Sequence, residues 1–279
     1  MKLFYYRSDV FNFGDALNEW LWPKIFPDLF DDDENIIFIG IGTILDNRIP
    51  EHAFKIVFGS GVRYPQNPPK VDLKWDIRAL RGKLSAQALG VDEKVSISDP
   101  AILVNLFFKS DLRKCYKMSY MPYFRSASKD WELACKLAGV KYIDPRRSIE
   151  ECLSDIARSK YVICEAMHGA IIADAFRVPW IPVRSLNKFN EGLTHFFKWN
   201  DWCSSLDLEF KPVDLPILWT ANSQVISLCK NYIKILYIAL KLNYIKRKHS
   251  FNLSSSSILQ EKFNKYLDVL EQFKRDYKI

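Results

Sequence analysis

The chain has 279 residues, 48% of them apolar and 26% charged, with a formal net charge of +7. That length holds one large α/β domain or two smaller ones, and that balance excludes a disordered chain. The modest positive excess points to anionic partners such as phosphates, acidic glycans, nucleic acid or anionic lipid, without choosing among them.

Short apolar runs alternate with amphipathic segments along the first two thirds of the chain. Strands are expected over 2–6, 36–39, 55–58, 77–80, 118–121, 142–143, 161–164 and 180–182. Helices are expected over 15–25, 83–89, 100–106, 129–138, 149–159 and 169–176. This alternation predicts α/β architecture with a parallel sheet built from βαβ units. A polar stretch, Lys109-Ser110-Asp111-Leu112-Arg113-Lys114, follows the helix expected over 100–106 and precedes a fresh strand. It suggests a boundary and two Rossmann-like halves, 1–110 and 111–215, followed by a helical region over 216–279. Ligands in such folds bind at the carboxyl ends of the strands.

The punctuation between elements supports this reading. Gly40-Ile41-Gly42 and Gly59-Ser60-Gly61 each follow an apolar run, where glycine lets backbone approach a ligand. Ser148 before Ile149-Glu150-Glu151 suits a helix cap, and Asp99-Pro100 places a cap residue before proline at a first helical position. Cys115, Cys135, Cys152, Cys164, Cys203 and Cys229 form neither CxxC pairs nor zinc-type spacings with histidine. They read as reduced, buried thiols of a cytoplasmic protein that needs no metal. The start, Met-Lys-Leu-Phe-Tyr-Tyr-Arg, lacks the apolar length of a signal peptide, and no uncharged apolar run is long enough for a spanning helix.

Three motifs carry chemistry. Asn12-Phe13-Gly14-Asp15 lies between the first strand and the first helix. Asp15 can cap that helix, or accept hydrogen bonds from sugar hydroxyls and act as a base. Arg81-Gly82-Lys83-Leu84-Ser85 combines a guanidinium with a helix start, and so makes an anion site or merely an exposed arginine in a loop. Glu165-Ala166-Met167-His168-Gly169-Ala170 follows a fully apolar strand and opens a helix. A histidine there faces the crevice and suits proton transfer near neutral pH, while Gly169 leaves backbone N–H groups for an anion.

In this order, these motifs resemble the polysaccharide pyruvyltransferase family, over residues 3 to about 208. The resemblance rests on Asn12-Phe13-Gly14-Asp15, Gly59-Ser60-Gly61, Arg81-Gly82 with Ser85, Asp99-Pro100-Ala101 and His168-Gly169-Ala170. Residues 12–22 and 165–180 look most like the subgroup acting in bacterial exopolysaccharide synthesis. The resemblance implies a GT-B-like fold with the site in an interdomain cleft. It also implies phosphoenolpyruvate as donor substrate, no cofactor, and a saccharide or lipid-linked oligosaccharide acceptor. His168 becomes the acid that protonates the donor's methylene carbon, and Asp15 the group that orients or deprotonates the acceptor. Asn12, Gly14, Ser60, Gly61, Glu165 and Gly169 become substrate contacts. Many members carry Arg-Leu-His-Gly, but here Ala166 stands at the arginine position. Either another cation meets the donor's charge or the donor differs; Arg125 is the first choice for that cation, with Arg81, Arg146 and Arg147 in reserve. A glycosyltransferase using a nucleotide-sugar shares these features, and so does an inactive family member serving as an assembly partner. No nucleic-acid-binding signature is present.

The remaining third differs in character. Residues 225–245 and 258–277 have helical periodicity, separated by a serine-rich break over 251–257. No Asp or Glu occurs from Leu215 through Gln260, whereas Lys230, Lys234, Lys241, Lys246, Arg247 and Lys248 do. Lys230, Lys234 and Lys241 share one helical face, and the expectation is a peripheral association with an anionic membrane surface at the inner face of the cytoplasmic membrane. The bland alternative buries the apolar faces and leaves the lysines solvated.

Overall fold

The structure, a computed structural model, describes residues 1–185, 192–216, 218, 225–248 and 250–279, with backbone only at 225–229 and 248. The chain begins with β1 (Lys2–Phe4), α1 (Phe13–Ile25), β2 (Ile36–Ile39), β3 (Thr43–Leu45), β4 (Phe54–Phe58), β5 (Gly61–Val62), β6 (Trp75–Ala79) and α2 (Lys83–Leu89). It continues with β7 (Ser119–Met121), α3 (Lys129–Ala138), β8 (Lys141–Tyr142), α4 (Ile149–Ala157), β9 (Val162–Cys164), α5 (Met167–Ala175), β10 (Trp180–Ser185), α6 (Leu193–Ser205) and β11 (Val213–Leu215). Two long helices follow, α7 (Val225–Lys248) and α8 (Ser256–Tyr277). Among the described residues no helix is long and apolar enough to cross a membrane.

The strands form two main parallel sheets. The first has four strands in the order β1-β2-β4-β6, and the second has five in the order β11-β10-β9-β7-β8. A two-stranded parallel pair, β3 with β5, continues from the ends of β2 and β4. The runs Ile36-Ile37-Phe38-Ile39 and Val162-Ile163-Cys164 are apolar throughout because sheets covered by helices on both faces bury both sides of a central strand. In the second sheet the chain leaves β7 toward β8 on one side and then returns to β9 on the other. That reversal opens a crevice at the carboxyl ends of β7 and β9, the place where open α/β sheets bind ligands.

The two long helices cover different sheets. Ile235, Ile238, Leu242 and Ile245 of α7 share a core with Trp131, Ala134, Cys135 and Ala138 of α3, over the second sheet. By contrast, α8 returns to the first. Phe273 lies 5.3 Å from both Phe26 and Phe58, in a cluster that includes Trp22 and Phe38. Tyr266 donates to the Ser98 carbonyl at 2.6 Å, and Asp276 pairs with Arg78 of β6. Before α8 begins, Asp174 of α5 accepts the Ser254 N–H and hydroxyl and the Trp180 indole N–H, which ties the connecting segment to the second sheet.

Several expectations need adjustment. Asn12, not Asp15, caps α1: its backbone is extended and its side chain accepts the Gly14 N–H, while Asp15 sits in the first turn. Residues 100–106 form a 3-10 helix in which Ile102 and Phe107 donate to carbonyls three residues back. Of the thiols, Cys135, Cys152, Cys164 and Cys203 are buried, but Cys115 is exposed because it ends the polar stretch after the first sheet. The side chain of Cys229 lies outside the described residues. The elements β3, β5, α6 and β11 were not foreseen; the first two are too short to carry a period, and α6 is unusually rich in aromatic residues.

Candidate active site

The crevice at β7 and β9 meets the start of α1 in a cavity of about 290 Å³. From the first sheet's side come Tyr6, Asn12, Phe13, Gly14, Asp15, Thr43, Ile44 and Arg63. From the second come Tyr123, Phe124 and Arg125 after β7, Glu165, Ala166, Met167 and His168 after β9, Arg184 and Ser185 of β10, and His195 and Lys198 of α6. Two helices open at this cavity, α1 at Asn12 and α5 at Ala166, so both present the positive ends of their dipoles to it.

His168 sits in the first turn of α5 with its ring against α1. A Cβ placed on Gly14 would lie 2.1 Å from His168 Nδ1, so only glycine admits the ring at this position. The other ring nitrogen points inward. Nε2 is buried, lies 3.8 Å from Asp99 Oδ2, and has no hydrogen-bond partner; Asp99 Oδ2 has none either. Asp99 Oδ1 is occupied by the Ala101 N–H at the start of the 3-10 helix. Burial, then the positive charges of Arg81 and Lys198, lower the imidazole to about 3, so His168 is neutral near pH 7. Burial raises the Asp99 carboxyl to about 6, against the opposing pull of Arg81.

Asn12 holds Asp15 through a 2.6 Å hydrogen bond from its amide to Asp15 Oδ2. Glu165 lines the cavity but is saturated. Its Oε2 accepts the Tyr123 N–H at 2.9 Å and the Tyr120 hydroxyl at 3.2 Å, and its Oε1 accepts the Ser185 N–H and hydroxyl. It therefore fastens the ends of β7, β9 and β10 together beneath the site. Its carboxyl is raised by burial, against the lowering effect of these donors.

Arg125 reaches the cavity wall from the loop after β7, where it pairs with the exposed Asp9 at 3.0 Å. Arg63, Arg184 and Lys198 line the same cavity. Arg184 is held by Asp214 at 2.7 Å, and the Lys198 ammonium lies 5.8 Å from the Tyr123 ring centroid. These three escaped the sequence reading. The predicted strand ending at 182 stops two residues short of Arg184, and Lys198 stands in an aromatic helix that has no motif. Its one signal is a single lysine among Phe196, Phe197, Trp199 and Trp202. Arg146 and Arg147 are not on the cavity wall; they pair with Asp144 and Asp155.

Four other expected contacts lie elsewhere. Arg81 is fully buried: it pairs with Asp201 of α6 at 3.1 Å and donates to Thr43 Oγ1 at 2.6 Å. Asp201 also accepts the Ser85 N–H at 2.9 Å and the Ser85 hydroxyl at 2.6 Å. The anion site expected at Arg81 and the start of α2 therefore exists, but the chain's own carboxylate fills it. Gly61 makes room for Arg81, since a Cβ there would lie 2.1 Å from the guanidinium. Ser60 is buried and donates to the Gly40 carbonyl. Gly169 packs against Met121, and its N–H is spent on the Ala166 carbonyl at 3.0 Å.

The polysaccharide pyruvyl transferase family model matches residues 10–187, which takes in α1 through β10 and most of the residues that line the cavity. The chain belongs to this family. It is also 39% identical over 229 residues to the succinoglycan biosynthesis protein ExoV of Rhizobium meliloti (strain 1021), covering 81% of this chain and 71% of that protein. It matches no solved structure. The chain is thus a pyruvyltransferase enzyme, and Ala166 stands in the cavity wall two residues before His168.

Proposed function

We propose that the chain transfers the enolpyruvyl group of phosphoenolpyruvate to a sugar of a bacterial exopolysaccharide or its lipid-linked precursor, forming a pyruvate ketal. The two parallel sheets serve as the lobes of a GT-B-like enzyme with divisions near residues 110 and 215, working as a peripheral protein at an anionic membrane surface on the cytoplasmic side. The observation that carries the reading is the placement of His168 and Asp15 on one cavity whose walls also bear Arg63, Arg125, Arg184 and Lys198. A small, highly charged donor needs such cations for its phosphate and carboxylate, and a sugar needs a carboxylate to accept its hydroxyls.

The chemistry follows from the charges. In the empty cavity His168 is neutral. The donor brings negative charge beside it, which favours the imidazolium, and Asp99 behind Nε2 favours the same form. Protonated at Nδ1, His168 gives its proton to the methylene carbon of the donor, and the adjacent carbon gains cationic character. A sugar hydroxyl, held by Asp15, adds to that carbon and gives its proton to the Asp15 carboxylate. A second hydroxyl of the same sugar then displaces inorganic phosphate, which leaves with that hydroxyl's proton, and closes the ketal. Arg125, Arg184 and Lys198 bear the phosphate and carboxylate, and so take over the duty left by Ala166. Arg81 supports from behind, by its charge on His168 and Asp99 and not by contact.

A mass-spectrometric assay with phosphoenolpyruvate and a panel of glycans tests the reading. The acceptor should gain the mass of pyruvate minus water, with one phosphate released per ketal. Saturation-transfer NMR in which a nucleotide-sugar binds and phosphoenolpyruvate does not would overturn it in favour of glycosyl transfer. A folded protein that binds neither would favour the inactive assembly partner.

A further inference from the structure

The helix α7 has two opposed apolar stripes, and the fold uses only one of them. Ile235, Ile238, Ala239, Leu242 and Ile245 are buried against α3 and the second sheet. On the other side Ile233, Leu236, Tyr237, Leu240 and Tyr244 are 65, 40, 49, 68 and 54% exposed. At 100° per residue these five fall within an arc of about 100°, diametrically opposite the buried stripe. Lys230, Lys234 and Lys241 form a row along one edge of the exposed stripe, within about 60° of Tyr237. Arg247 falls inside the arc near its other edge, in the turn after Tyr244.

A globular helix normally gives its outward face to charged and polar side chains. Here that face carries three aliphatic and two phenolic side chains over about three turns, so the lysines are not simply the solvated face of a buried helix. We infer that this outward stripe of α7 is the surface by which the protein lies on an anionic lipid bilayer, with the aliphatic side chains entering the headgroup boundary and the lysine row meeting lipid phosphates. Tyrosines among aliphatics suit that boundary, because the ring enters the apolar layer while the hydroxyl stays wet. The charges choose between lipid and a second copy of the chain. No Asp or Glu occurs from Leu215 through Gln260. Two copies joined through this stripe would bring like-charged lysine rows together in a segment that contains no acid, whereas an anionic bilayer presents the opposite charge to the whole row.

This refines the sequence expectation, which gave the contact to 225–248 as a whole, a basic face beside apolar and aromatic ones. The Lys246 ammonium instead donates to the Ala138 carbonyl, which holds it against α3. The side chains of Val225, Ile226, Leu228 and Lys248 lie outside the described residues.

The inference rests on the peripheral role proposed above but not on turnover, so the test uses the full chain without donor or acceptor. Vesicles of phosphatidylcholine alone, and of phosphatidylcholine with phosphatidylglycerol, are pelleted with the protein at low and high salt. Wild-type protein should pellet with the anionic vesicles at low salt and be released at high salt. I233S/L240S should lose that binding at little-changed thermal stability, since these two side chains are 65 and 68% exposed. K230Q/K234Q/K241Q should weaken binding by about fivefold per lysine and flatten its salt dependence. The inference fails if wild-type protein stays in the supernatant at low salt, or if the serine variant pellets as well as wild type. It also fails if light scattering shows a dimer that the serine variant dissolves, since the stripe would then belong to a second copy. Vesicle binding by a protein without transferase activity would leave it standing and overturn the catalytic reading alone.

Discussion

His168 Nε2 and Asp99 Oδ2 face each other at 3.8 Å, both buried, and neither atom has a hydrogen-bond partner. The two residues belong to different sheets, Asp99 following the first and His168 standing in the first turn of α5 after β9 of the second. A histidine whose inner nitrogen faces a carboxylate has its outer nitrogen oriented for chemistry, and its cationic form is stabilised once formed. Asp99 is accordingly a positioning residue for His168. This relationship yields the first prediction. Asp99→Asn keeps the shape and removes the charge. Turnover should fall by about 10–100-fold, and the alkaline limb of kcat against pH should move to lower pH, with the donor KM little changed. An unmoved pH profile would show that Asp99 only caps its helical turn.

His168→Gln should cut turnover by about 10²–10⁴-fold without unfolding the protein. The same variant has a pH signature in stability. The folded imidazole sits at about 3 against 6.5 when unfolded, so the unfolded chain takes up the proton first and stability drains away as pH falls from 6.5 toward 3. Asp99 acts in the opposite sense. Its folded carboxyl, raised to about 6 from 3.8, takes up a proton more readily when folded, so it adds stability as pH falls between those values. Melting temperatures across this window should decline less steeply in His168→Gln than in wild type, and more steeply in Asp99→Asn. Parallel curves for all three would mean that neither group titrates as the fold implies.

Lys198 and Arg125 separate by two different readouts. Lys198 is one of the charges that hold His168 neutral, so Lys198→Met should raise the His168 pKa in the free protein, as followed by NMR of the imidazole. It should also weaken donor binding. Arg125→Ala should weaken donor binding while leaving that pKa in place, and Arg125→Lys should restore it only in part because a point charge replaces a fork. Unchanged donor affinity in Arg125→Ala would shift the donor contact to Arg184 and Arg63.

The Arg81–Asp201 pair is a stability element, not a donor site. Asp201→Asn leaves a fully buried guanidinium uncompensated and should cost about 3–5 kcal/mol, read from urea unfolding. Replacing both, as Arg81→Met with Asp201→Asn, should cost clearly less than the sum of the single changes. Additive costs would mean that the two residues do not depend on each other.

How much of this was legible in the sequence depended on range. The parallel α/β character, the crevice after β9 and the His168 position follow from local rules: apolar runs, a glycine that only close packing explains, and a helix start. Arg81 shows where local rules stop. A guanidinium beside a helix N-terminus is an anion site by every short-range criterion, yet the anion is Asp201, 120 residues away. The same distance hid Arg184 and Lys198, whose only qualification is where the fold carries them. The reading of α7 stopped at a different limit. Its composition showed that the helix was apolar on several sides and basic, but only the packing on α3 reveals which apolar stripe is left outside.

The return of α8 to the first sheet governs the order in which the protein can be made. Tyr277 reaches Asp76 across 201 residues of chain, and Phe273 closes an aromatic cluster begun by Trp22 and Phe26. During synthesis the cluster lacks its Phe273 side until the whole second sheet has been made. Apolar surface left open for that long favours capture by chaperones and misassembly. The helix α8 is a late seal, so completion of the first sheet's core waits on the prior emergence of the second sheet.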